Sequence, residues 1–206
     1  MPKIVDHDQR RNEIAEVTLR VIQRSGVDGA TFRSIAEEGG FSRGVVPHYF
    51  KDKEQLIRFV FEWVANKTLD QIELQIAEKS PGLARLRYSL VGLLADQEAE
   101  LEGAGALSFW GQANSNINLR DQQRLNYQRW RHIVRNNISE AIQLGDLAET
   151  IDIDNEADTL VSMVDGLSNA SILEQSSFPI ERAKQLVDGM LNKLRAPQRQ
   201  YAHSAA

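Results

Sequence analysis

Hydrophobic residues recur along the chain at three- and four-residue intervals and almost nowhere in alternation. Ile14, Val17 and Val21, with Ala15, Leu19 and Ile22 beside them, draw one broad apolar face over 8–24, which is the period of an amphipathic helix. Ser25-Gly26 is a stop signal at its end. After Val27-Asp28-Gly29, Thr31 is placed to cap a second, short helix over 31–38 with Ile35 and Ala36 inward, closed by Gly39-Gly40. Ser42, another capping residue, opens a third segment that runs to Phe50. Asp52 followed three residues later by Gln55 has the spacing of a capping box, and a long helix is predicted over 53–78 with Leu56, Phe59, Val60, Trp63 and Val64 inward. Ser80-Pro81-Gly82 breaks it. Further helices are expected at 83–99, 104–114, 119–144, 155–174 and 179–195, separated by Gly103, the polar stretch 114–118, Gly145 and Pro179. With no Val/Ile/Thr run bounded by turn residues, the expected fold class is all-α. A three-helix head over 1–53 precedes a helical bundle over 54–196 and a flexible tail over 197–206.

Composition narrows the class without naming it. A chain of 206 residues holds one large domain or two small ones, and 42% hydrophobic with 26% charged residues supports a packed core. The absence of cysteine excludes disulfides, thiolate zinc sites, CxxC redox chemistry and thiol nucleophiles. It also fits a reducing compartment, so the expected location is cytoplasmic. No apolar run reaches the ~18 residues of a membrane span, and residues 1–8 lack the apolar stretch of a signal peptide. The net charge of −5 speaks against a nucleic-acid partner for the chain as a whole. Its distribution speaks differently, because residues 1–53 carry nine Lys/Arg against eight acids while the remainder carries fifteen against twenty-one. Only the N-terminal quarter is suited to approach DNA.

Chemistry beyond binding finds little support. The four histidines at 7, 48, 132 and 203 are scattered, with no HExxH and no GxSxG, and the glycines at 103 and 105 follow no strand and form no GxGxxG. Asp152, Asp154, Glu156 and Asp158 suggest calcium, yet the turn glycine is missing and Met163 stands where the closing glutamate belongs. They read better as acids at a helix N-terminus. No enzyme activity, cofactor or metal is expected.

Three short helices with a glycine-containing turn between the second and third match the helix-turn-helix pattern. The residues that fill it are Thr31, Ile35, Ala36 and Gly39, then Phe41, Ser42, Gly44, His48, Tyr49, Phe50, Lys53 and Leu56. In this spacing they resemble the N-terminal signature of the tetracycline-repressor (TetR) family of regulators, over roughly residues 8–56. The geometry of such a head assigns roles. Arg43, at the start of the third helix, is the candidate for bidentate bonding to guanine. Gly44 permits close backbone approach, and Val45 or Val46 is placed to touch thymine methyls. Thr31, Tyr49 and Lys53 are candidates for phosphate and Arg33 for a base or a phosphate; Ser42 and His48 complete the stretch against DNA, and Ile35 and Phe50 belong to the core. Pro47 departs from the family pattern, which puts one phosphate contact and the course of the third helix in question.

The resemblance also implies an effector-binding body that dimerises through its last two helices. The stretch 107–115, then 125–134 and Val164-Asp165-Gly166-Leu167, resembles the subgroup that includes the repressor of glycine-betaine synthesis. It implies a ligand pocket near Trp63, Trp110, Asn114 and Tyr127, where cation–π attraction favours a quaternary ammonium. Ser162, Gly166 and Asn169, with Leu186, Met190 and Leu194, form the expected dimer interface. The functional expectation is a ligand-responsive repressor that binds a palindromic double-stranded DNA operator as a homodimer and is released by a small molecule. The rivals are a helical small-molecule carrier and an adaptor that uses the same head for protein contacts.

Overall fold

The structure is a computed structural model that describes residues 7–94 and 116–197. Among these residues the chain forms eight helices: α1 (His7–Gly29), α2 (Phe32–Gly39), α3 (Val45–Tyr49), α4 (Lys53–Ala77), α5 (Leu83–Val91), α6 (Ile117–Gln143), α7 (Ile153–Leu173) and α8 (Ile180–Lys193). Outside them lies an isolated antiparallel bridge between Leu147 and Arg195. The all-α expectation holds. The predicted helix over 104–114 lies outside the described residues, as does the tail beyond 197, whereas the helix expected over 83–99 ends early, at Val91, where Gly92 closes it and 92–94 turn away. The described residues pack as two compact units. One gathers α1, α2, α3, α4 as far as Gln71 and α6 as far as Arg129; the other gathers the rest of α4, α5, the rest of α6, α7 and α8.

In the first unit the apolar face read from the sequence is the core. Ile14, Ala15, Leu19, Val21 and Ile22 of α1 are buried with Ile35 and Ala36 of α2, and with Val46 and Phe50 around α3. From α4, Leu56, Ile57, Val60 and Phe61 close it. The stop at Gly26 is a break rather than an end: Gly26 adopts φ 68°, and helix resumes to Gly29 so that Val27 joins the core. Glycine alone takes that left-handed conformation freely. Leu119, in the first turn of α6, is 3% exposed in the same core. Burying a leucine contributes about 2 kcal/mol, so the start of α6 is held by the head although some sixty residues separate it from the start of α4. Asn116 and Asn118 reinforce it by donating to Glu54 at the start of α4.

The second unit packs α5, α7 and α8 against one another. Gly82 precedes α5 at φ 84° with no side-chain cap of its own. The free N–H groups there are instead satisfied by carboxylates distant in sequence, Gly82 by Glu140 (2.9 Å) and Leu83 by Asp146 (2.9 Å), while Arg85 pairs with Glu140 (2.8 Å). Buried Trp130 donates its indole N–H to the Ser89 carbonyl at 3.1 Å. The acidic run behaves as a helix start. Asp152 caps α7 by accepting from the Asn155 N–H (3.1 Å), Asp154 pairs with Arg135 (2.6 Å) and Asp158 with Arg131 (2.7 Å).

Candidate nucleic-acid interface

The head is built around α2, and local chemistry fixes both of its ends. The Thr31 hydroxyl accepts from the Ser34 N–H (3.1 Å) while the Ser34 hydroxyl accepts from the Thr31 N–H (2.9 Å), a reciprocal cap. At the other end Gly40 stands at φ 63° and returns its N–H to the carbonyls of Ala36 and Glu37. The turn that follows is tight, because the Phe41 ring packs so close to Gly39 that an added Cβ would lie 2.5 Å from it. Arg24 and Arg20 of α1 reach across to Glu38 at 2.7 and 3.7 Å and set the seat of α2.

The third segment departs from the expected start. Ser42 does not cap a helix; its carbonyl accepts from the Val45 N–H (3.0 Å) in a turn, and α3 begins at Val45 after Gly44. This puts Pro47 in the first turn of α3, where a helix has no earlier carbonyl for that N–H. The backbone therefore continues without a kink, with His48 N–H bonded to the Gly44 carbonyl (3.2 Å) and Phe50 N–H to that of Val46 (3.0 Å). Val46 is fully buried and Val45 half-buried, so only Val45 remains available for a base. At the next junction the Asp52 carboxylate caps α4 at the Gln55 N–H (2.8 Å), and the Gln55 side-chain Oε1 accepts from the N–H of Lys51 (2.7 Å), one residue before the expected partner.

The outer surface of this segment is open. Ser42, Arg43, Gly44 and His48 are exposed and Tyr49 is half-buried. Arg43 makes no ion pair among the described residues, and a Cβ at Gly44 would meet nothing within 4 Å. Two other candidate cations are engaged. Arg33 is tied to Glu37 at 2.8 Å, a hydrogen bond that raises its pKa further, and Lys53 donates to the Asp28 carbonyl at 2.9 Å. The polar groups of Thr31 are committed to its cap.

Beside the turn lies a shallow concavity of about 510 Å³, lined by Phe41, Val45 and Tyr49 together with Arg10, Ser42 and His48. The Tyr49 ring stands 4.5 Å from that of His7 and 5.0 Å from that of His48. Two histidines that look scattered in the sequence thus meet, and His7 and Arg10 join a surface to which sequence reasoning did not assign them. Their only signal is a polar first turn ahead of the apolar face at Ile14. Among the described residues no group of three His, Asp or Glu is arranged to hold a metal ion.

The residues expected in the body are distributed differently. Trp63 is half-buried against the core of the head, with the Lys67 ammonium 5.1 Å from its ring centre, and Tyr127 is half-buried on α6. Trp110 and Asn114 lie outside the described residues. Ser162 and Gly166 on α7 are exposed; Asn169 and, on or just after α8, Leu186, Met190 and Leu194 are half-buried.

Comparison with known proteins bears on both ends of the chain. Residues 14–60 match the family described as bacterial regulatory proteins, tetR family, and residues 82–196 match that described as BetI-type transcriptional repressor, C-terminal. The HTH-type transcriptional regulator PksA of Bacillus subtilis is 30% identical over 91% of this chain and 90% of its own length. The HTH-type transcriptional regulator BetI of Burkholderia mallei is 26% identical over 96% of this chain and its full length. Among solved structures, a transcriptional regulator from Saccharomonospora viridis in complex with choline superposes with a TM-score of 0.82 at 20% identity, covering 90% of this chain and 96% of that one.

Proposed function

This chain belongs to the TetR family of helix-turn-helix transcriptional regulators, and on that premise we propose that it represses transcription by reading a palindromic operator as a homodimer. The observation that carries the reading is Arg43, exposed and without an ion pair among the described residues at the entry to α3. A guanidinium there is suited to bond guanine O6 and N7 together, with Val45 against a thymine methyl and Ser42, Gly44, His48 and Tyr49 lining the groove. Lys53 spends one of its three donors on the Asp28 carbonyl and keeps two for phosphate. Arg33 serves register rather than sequence through the guanidinium donors that Glu37 does not take, and Thr31 serves it by capping α2.

Residues 1–53 act as the reading head and 54–196 as the regulatory body. The partner copy docks on α7 and α8 through Ser162, Gly166, Asn169, Leu186, Met190 and Leu194, which the single chain leaves partly open. A symmetric dimer places two heads on major-groove faces ~34–36 Å apart, which is why the operator repeats in inverted order. A small-molecule effector bound near Trp63, Trp110, Asn114 and Tyr127 favours a spacing that no longer fits DNA. Moving the population from 1:99 to 99:1 requires a preference of ~5.5 kcal/mol. The choline in the related fold makes a quaternary ammonium the first compound to try. The protein works in the cytoplasm by binding alone, without catalytic chemistry.

The test is selection from a random duplex pool, followed by titration with choline and glycine betaine. Enrichment of an inverted repeat is the expected outcome; a pool that stays random contradicts the reading.

A further inference from the structure

The concavity beside the recognition turn has two lining residues that base reading does not use, Phe41 and Arg10. Phe41, Val45 and Tyr49 give its lining an apolar part, while Ser42 supplies a hydroxyl and Arg10 a charge. Arg10 is held in place on two sides: its guanidinium sits 5.9 Å from the Phe41 ring centre and bonds Glu13 at 2.7 Å, leaving its side chain 35% exposed. A deoxyribose offers an apolar face, and the phosphate attached to it takes charged and hydroxyl donors. A lining that combines apolar rings with an arginine and a serine is complementary to that pair. We propose that this concavity seats one sugar-phosphate unit of the operator strand, with Arg10 of α1 as its phosphate ligand and His7, packed on Tyr49, at its edge.

The inference rests on the DNA-binding reading and extends it to α1, so that the contact surface draws on four helices, α1 to α4, instead of three. It also gives Glu13 a role. The carboxylate competes with phosphate for the same guanidinium, so affinity at this seat is set by exchange of one anion for another.

The experiment uses the full chain and a duplex enriched from a random pool by the wild-type protein. Arg10→Gln weakens every sequence alike by roughly tenfold and flattens the dependence of log K on log salt by about one. Arg10→Lys, which keeps the charge, retains most of the affinity. Glu13→Gln moves the other way and tightens binding, an effect that lost packing does not produce. Single methylphosphonates walked along the operator locate the seat: one position per half-site penalises wild-type protein and loses its penalty with Arg10→Gln. Wild-type affinity and salt slope for Arg10→Gln, or penalties unchanged at every position, overturn the proposal while leaving the reading head intact. A wild-type protein that enriches no duplex overturns both. Should Arg10→Gln fail to fold, Glu13→Gln decides alone, and binding no tighter than wild type overturns the seat.

Discussion

Glu156 shows how one side chain in the body answers to pH. It lies in the first turn of α7, its Oε1 is buried without a hydrogen-bond partner in the described structure, and burial pushes its carboxyl above the usual range. The folded chain therefore holds this proton more tightly than the unfolded chain, and the contribution to stability falls as pH rises from the unfolded value of ~4.3 through the folded one. Glu156→Gln removes that titration. Relative to wild type, its melting temperature gains most at neutral pH and the gain vanishes near pH 4; a difference constant across a pH 4–8 series would contradict the burial. Residues whose role is local were the ones legible in the sequence. Thr31 as a cap, Asp152 as a helix start and Ile35 as core follow from a few neighbours. The meeting of His7 with Tyr49, and of Arg10 with the recognition turn, depends on how α1 returns beside α3, which no local spacing encodes.

Elements were legible where their ends carry a physical signal. Gly40 ends α2 at φ 63°, a conformation that costs an alanine about 1 kcal/mol. Gly40→Ala should lower the melting temperature by a few degrees and weaken operator binding, because the turn into α3 is displaced; an unchanged melting temperature would mean that the turn bears no such constraint. The start of α3 was harder to read. Ser42 has the chemistry of a cap, yet its carbonyl makes the turn to Val45 and its side chain is exposed, with no hydrogen-bond partner among the described residues. That later start is also what accommodates Pro47. Leu119 illustrates a different limit: its place in the core of the head is a long-range packing choice, invisible to a periodicity that only predicts a helix near 119–144.

At the scale of the whole molecule, the proposed repressor function depends on two copies. A Cβ at Gly166 would meet nothing within 4 Å in the single chain, so Gly166→Trp should leave the fold and melting behaviour of the protomer intact while blocking close approach of α7 to its partner. Sedimentation should then report a monomer with operator affinity reduced by at least tenfold, since a lone head loses its second half-site. A dimer that persists with full affinity would move the interface elsewhere. The most direct test of the central claim is the base-by-base affinity profile of wild-type and Arg43→Ala protein on one selected operator. The expected result is a loss of ~1–3 kcal/mol confined to a guanine at symmetric positions in both half-sites, with discrimination at that base pair gone and all other positions unchanged. A profile identical to wild type, or a loss spread evenly over every position, would contradict a head that reads bases through Arg43.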